Sequence, residues 1–430
     1  MELIFNGILM TEVKFSRSQD DFLSSDLPKI NYSNQKFSDE IYFKPHPILF
    51  EPGIRKQNID VVPFKNMSCF FQTSPDSTFP FDVFAASFFL VSRYEEYSTV
   101  DFDQYGRFSA SQSILHKLEI IKKPVVDIWA QWLADEIKEK YKQLKFFKNK
   151  FRYISTIDID NAWAYLNKGF WRTYAAQLKS VLTGNFDEFK TRLEVLNGKK
   201  KDPYHTYEYL NSVFSGNEEK IKFFFLMGNY AKFDKNISYK NHGLQELIKG
   251  IAKNYDVGIH PSFAGFIKGD HNEVVQEKDR LATISGRKIK KSRQHYLNLR
   301  FPKTYQNLLK AGITEDFTLG FSDQIGFRAG TCTPFYFYDL ENEVQTNLKI
   351  VPFQVMDGTL LHYQKFSPVR AIDEIERLME EVKNVGGTFV SIWHNETVND
   401  LGEWKGYQEV FEKTNQLGFK WANEQAGSLY

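Results

Sequence analysis

Cysteine is almost absent from this chain. Its 430 residues hold two, Cys69 and Cys332, far apart and outside any paired spacing. A disulfide framework and a zinc knuckle are both excluded, and two reduced, buried thiols are expected. Net charge is also missing, because 55 Lys and Arg stand against 54 Asp and Glu. No global field draws such a chain to nucleic acid or to an anionic membrane, so any polyanion site must be local. No stretch reaches the roughly 18 to 20 unbroken apolar residues of a membrane helix. "FPFDVFAASFFLVSRYEEY" comes nearest, but Asp82 and Arg93 bracket its apolar part, which leaves a buried helix as the expectation. The start, "MELIFNGILMTEVKFSRSQDD", lacks a basic opening and a small-residue cleavage site; it is expected to form a first strand in a cytoplasmic protein without membrane insertion. There is no Walker loop, no dinucleotide glycine fingerprint, no internal repeat and no low-complexity tract, which argues against a nucleotide enzyme.

What the chain does contain divides near "FKNK", residues 147 to 150. Residues 1–147 carry short strand-like runs such as "EIYFKP", then two helical patterns, the second opened by Pro124 in "PVVDIWAQWLADEIKEKYKQLKFF". They are expected to form a smaller α+β domain. From 151 to 430, runs rich in β-branched and aromatic residues alternate with helical patterns: "RYISTIDID", "KIKFFFLM", "YDVGIHPS", "KKSRQHYL", "FTLGFS", "KIVPFQVMD" and "GTFVSIWHN". That alternation predicts parallel strands with crossover helices, an α/β fold closing into a β/α barrel of about seven strands. The lysines of "LNGKKKDPYHTY" are expected in a solvated loop.

Several of these strands finish in residues that bind metals or move protons: Asp158 and Asp160, His260, His295, Asp357 and His394. The C-terminal strand ends of a β/α barrel converge on one face, so residues remote in sequence become neighbours. Alternation sets Thr156, Asp158 and Asp160 on one side of their strand. Two carboxylates this close resist joint ionisation unless a cation or a basic group lies between them. A hydrolytic divalent-metal site needs about three protein ligands and an open position. Asp160, His260 and His295 supply such a set, with zinc as the expected ion, leaving Asp158 as base and His394 as acid. Each has another reading: His260 as a turn partner of Pro261, His295 as a core histidine held by Arg293 or Gln294, Asp158 as a helix cap. Trp163, Phe263, Tyr296 and Trp393 lie near the strand ends, as candidates to stack on a ring of the substrate or else to pack in the core.

Taken together, "STIDIDNAWAY", "VGIHPSF", "SRQHYL", "GFRAGTCTPF", "VMDGTL" and "SIWHNE" resemble the motif series of the polysaccharide deacetylases, carbohydrate esterase family 4 type, in a divergent bacterial branch. The resemblance covers about residues 151 to 430. It implies a distorted β/α barrel and metal-dependent removal of an acetyl group from an N-acetylated sugar or polysaccharide. It further implies that Arg328, in "GFRAGT", orients the catalytic Asp158, and that Asp357 holds the ring of His394. Two departures stand out. The family's adjacent aspartates are separated here by Ile159, and Ala264 stands where its second metal histidine belongs, a place given to His295. "PFDVFAASFFLVSRYEEY", "DQYGRFSASQSIL" and "KKPVVDIW" resemble the N-terminal extension of this branch, for which no activity is implied; Arg93, Glu95 and Glu96 are expected as surface ion pairs. Two other readings remain at this stage: a carbohydrate-binding scaffold without metal, and an amidohydrolase acting on a non-sugar amide.

Overall fold

The structure is a computed structural model and describes residues 1–98, 101–147 and 149–426. Lys148, in the basic turn expected between the two regions, lies outside the described residues.

The apolar runs after residue 151 assemble into one nine-stranded sheet, ordered Phe335–Asp339, Val344–Ile350, Glu315–Asp316, Lys291–Ser292, Asp256–Ile259, Ile221–Phe225, Arg152–Ile159, Thr388–His394 and Val355–Met356. Every neighbouring pair is parallel except the first, an antiparallel hairpin. The central strands read "IKFFF", "RYISTIDI" and "TFVSIWH", β-branched and aromatic residues that pack on both faces of a covered sheet. Crossover helices are punctuated by side chains suited to their ends. Ser367 caps Pro368–Val385 through the Arg370 N–H, and Asn241 caps His242–Asn254 through that of Leu244. The first of these helices stops at Gly386, with φ at 74° and a Cβ position only 1.8 Å from the Asn149 carbonyl oxygen; only glycine fits both constraints.

The strand count and bounds differ from expectation. "FTLGFS" holds no strand; the paired residues are Glu315 and Asp316, just before it. "KIVPFQVMD" belongs to two strands, Val344–Ile350 and Val355–Met356, and the hairpin partner Phe335–Asp339 was not anticipated. Between those two strands the backbone keeps bonding: Val351 donates to the Asp316 carbonyl, Phe353 to that of Leu319, and Gln354 to that of Val390. One segment thus supplies both the second strand and the last strand of the sheet order.

The N-terminal region corrects a further expectation. Leu3–Ile8 is a π-helical turn, not a strand, and buries Ile4, Phe5 and Ile8. A short apolar run suits either state, and here packing decided. The expected helices appear as Val83–Val91 and Val125–Lys140. Their core includes Phe43, Phe70, Phe79 and Trp129, and it takes in Phe321 and Leu340 from beyond residue 151. Cys69 and Cys332 are both free and buried. Among the described residues no helix is long and apolar enough to cross a membrane.

The seam between the regions is ionic. Arg93, expected at the surface, is 1% exposed and sits at φ 56°. It bonds Glu96, Glu95 and the Arg328 carbonyl, while Arg328 grips the same Glu96 carboxylate at 2.5 and 2.9 Å. Asp127 crosses the seam as well, accepting from the Cys332 N–H and the Thr333 hydroxyl.

Candidate metal and hydrolytic site

Parallel register brings the strand ends level. Asp158 lies opposite His394 on one side and Phe224 on the other, His260 follows the paired Ile259, and His295 comes three residues after the paired Ser292. Asp160, His260 and His295 each offer a ligand atom, and those atoms lie within 4.8 Å of one another. His260 Nε2 is 3.2 Å from Asp160 Oδ1, and His295 Nε2 is 3.4 Å from Asp160 Oδ2.

The other nitrogen of each ring is already engaged. His260 Nδ1 contacts the Arg293 carbonyl oxygen at 2.5 Å, and His295 Nδ1 contacts Asp234 Oδ1 at 2.9 Å. Both partners are acceptors, so each Nδ1 donates to its partner and each Nε2 faces the cluster, where a cation would displace any proton it carries. Asp160 Oδ1 is buried and, despite the nearby imidazole, has no hydrogen bond of acceptable geometry. A buried carboxylate oxygen left over among two aimed imidazoles fits a divalent cation. The donor set of two nitrogens and a carboxylate suits zinc and other borderline ions.

Electrostatics agree with this arrangement. Burial alone would raise the Asp160 carboxyl, but His295 and His260 hold it well below the usual carboxylate range. Burial alone would lower the His295 imidazole; Asp160 and Asp234 outweigh it and lift the value to about 9.

Asp158 is 2% exposed and stands apart from the ligand cluster, with Oδ2 4.0 Å from His260 Nε2. The base that orients it is not Arg328, whose guanidinium is spent on Glu96 and the Gly320 carbonyl. Arg293 does so instead. Its Nη1 lies 3.3 Å from Asp158 Oδ2 and its Nη2 donates to Thr156 Oγ1 at 2.9 Å, while the guanidinium lies over the Phe224 and Phe353 rings. Arg328 therefore acts at the seam, a correction to the role implied for it. Arg293 had a signal in the sequence: it alternates with His295 in "SRQHYL". Asp234 had none, because it lies in an irregular segment.

His394 completes the group. Its Nε2 is 4.0 Å from Asp160 Oδ2, and its Nδ1 is 2.9 Å from the fully buried Asp357, which also accepts from the His394 N–H and the Thr397 hydroxyl. Burial opposes protonation, but Asp357 keeps the imidazole well above its ordinary value.

Of the four aromatic candidates, Trp163, Phe263 and Trp393 are buried, and only Tyr296 remains partly open. Tyr296 and Leu297 both hold left-handed backbone, at φ 59° and 56°, directly after His295. Such strain persists where packing over-determines it. The Tyr296 ring lies 4.5 Å from that of His295 and stacks at 5.0 Å on Tyr105 of the N-terminal region. Beside Tyr105, Arg107 donates to the Tyr363 hydroxyl at 2.6 Å.

Residues 1–142 match the model of a family of unknown function, DUF7033. No curated protein matches the chain. Solved structures similar to it include a protein assigned as a polysaccharide deacetylase from Mycobacterium smegmatis, at 15% identity and TM-score 0.39 over 65% of this chain and 92% of that one. Another is a protein from Bordetella bronchiseptica, assigned as a polysaccharide deacetylase involved in O-antigen biosynthesis, at 14% identity and TM-score 0.29 over 63% and 84%. A third is a mutant of a CE4 family pseudoenzyme with restored enzymatic activity, at 10% identity and TM-score 0.30 over 63% and 65%.

Proposed function

We propose that the chain is a metal-dependent hydrolase that removes the acetyl group from an N-acetylated sugar or polysaccharide, with the chemistry in residues 151–430. The observation that carries this reading is the convergence of Asp160, His260 and His295 within 4.8 Å beside a separate carboxylate, Asp158. We read the sheet as a distorted β/α barrel, since the short segment from Val344 to Met356 supplies both the second strand and the last strand of its order. That closure sets Asp160, His260, His295 and His394 on one rim.

Asp160, His260 and His295 would hold the ion, with zinc as our assignment. When bound, a divalent cation supplies Lewis acidity toward a carbonyl oxygen and lowers the pKa of a water. Asp158, oriented by Arg293, takes a proton from the attacking water as its oxygen bonds to the acetyl carbon. His394, protonated and fixed by Asp357, gives its proton to the amide nitrogen as the C–N bond breaks. Acetate and a free amine result. Tyr296, backed by Tyr105, offers a ring face for the sugar.

The test is acetate release from N-acetylated sugar oligomers, with simple N-alkyl acetamides as a second arm and elemental analysis of the purified protein. Stoichiometric divalent metal and sugar-dependent acetate release are expected. A metal-free, inactive protein would leave a binding scaffold on this fold, and equal rates on simple amides would shift the substrate class.

A further inference from the structure

The first crossover leaves the sheet directly after Asp160 and forms three α-helices, the first two being Phe170–Leu182 and Phe186–Leu196 and the third Tyr207–Phe214. A helix packed on a soluble protein turns its apolar side inward. The Phe170–Leu182 helix is inverted. Its protein-facing side carries Arg172, Thr173, Ala176, Gln177 and Ser180, of which only Ser180 is fully buried. Those contacts are polar: Arg172 donates to the Asn236 and Lys235 carbonyls, and Ser180 accepts from Arg192.

The outward side holds Phe170, Trp171, Tyr174, Leu178, Val181 and Leu182. Trp171 is 80% exposed, Leu182 77% and Phe170 74%. At about 100° per residue these six fall within an arc of roughly 120°. Phe186, at the start of the next helix, extends the apolar surface. Scattered exposed hydrophobics need no explanation, but a continuous stripe rimmed by polar residues marks a contact surface.

Charge selects the occupant. Between residues 161 and 186 there are three cations, Lys168, Arg172 and Lys179, and no acid. On the same wheel the exposed Lys179 falls at roughly 180°, beside the apolar arc, whereas the Arg172 guanidinium is turned inward onto the Asn236 and Lys235 carbonyls. An aromatic and aliphatic face bordered by a basic side chain and free of acids on its own helix matches a helix lying in the plane of an anionic bilayer. We propose that the Phe170–Leu182 helix seats the protein on an anionic lipid surface, apolar arc in the acyl boundary and Lys179 at the headgroups. This is attachment, not spanning, and it does not depend on the reaction assigned to the site.

The experiment is co-sedimentation of the full chain with phosphatidylcholine vesicles, with and without phosphatidylglycerol, at low and high salt. Binding to the phosphatidylglycerol vesicles that weakens with salt is expected. The double variant Trp171→Glu, Leu182→Glu should lower vesicle partition at least about tenfold, with an unchanged thermal melt and unchanged acetate release from soluble substrate. Should its melt shift, Trp171→Ser with Leu182→Ser gives the same reading. No sedimentation of the wild type, or equal sedimentation of the variants, overturns the proposal. So does a concentration-dependent dimer that either variant renders monomeric, since the face would then belong to a second copy.

Discussion

Arg293 and Asp158 meet at 3.3 Å in the interior, 135 residues apart in sequence, Arg293 directly after one strand and Asp158 within another that is three places away in the sheet order. The pair is buried, so neither charge is stable without the other. Arg293→Met should lower turnover by about two orders of magnitude. Unchanged turnover would mean that Arg293 only packs.

Asp158→Asn should abolish acetate release while retaining metal, whereas His260→Ala should lose both. Metal content and turnover measured on the same preparations separate the two roles. A fully active Asp158→Asn protein would remove Asp158 as the base.

Asp234 touches His295 at 2.9 Å and takes no direct part in the ligand cluster. Asp234→Asn should weaken metal affinity by about 10- to 100-fold, as loss of such a ring-orienting partner does elsewhere. Competition with a chromogenic chelator measures it.

Metal uptake should depend on pH through His295. In the metal-free protein its pKa is lifted to about 9, above the ordinary 6.5, by Asp160 and Asp234. A raised histidine contributes stability that is fully present below 6.5 and is lost as pH rises through about 9. The cation competes for the same nitrogen, so metal affinity should climb by at most about tenfold per pH unit up to that value. Calorimetry in buffers of different ionisation enthalpy should register a released proton near neutrality.

Much of this site was legible from residue order. Period-two alternation separates Asp158 and Asp160 from Ile157 and Ile159, and the polar strand ends named His260, His295, Asp357 and His394. Side-chain partners were less legible. Arg328 sits in a run that resembles an arginine motif, but its direction is set by Glu96, a residue more than 200 positions away. Asp234 lies in a segment with no period to read. The Leu3–Ile8 turn failed for another reason: six mostly apolar residues carry no period that distinguishes strand from helix.

Glu96→Gln should destabilise the protein by about 3 to 5 kcal/mol, since Arg93 and Arg328 would share a neutral partner inside the seam. Thermal or urea unfolding checks it, and a loss within about 0.5 kcal/mol of wild type would show that the network is replaceable.

That seam also bears on how the polypeptide can be recombined. Glu96 and Asp127 come from one side of "FKNK", whereas Arg328, Cys332 and Thr333 come from the other. A chimera joined at residue 147 inherits half of each contact, and a fragment beginning at 151 carries Arg328 with no carboxylate to meet it. The chain's natural joint in sequence is not a joint in space, so exchange between relatives must move Glu96 and Asp127 together with the loop from Gly320 to Thr333.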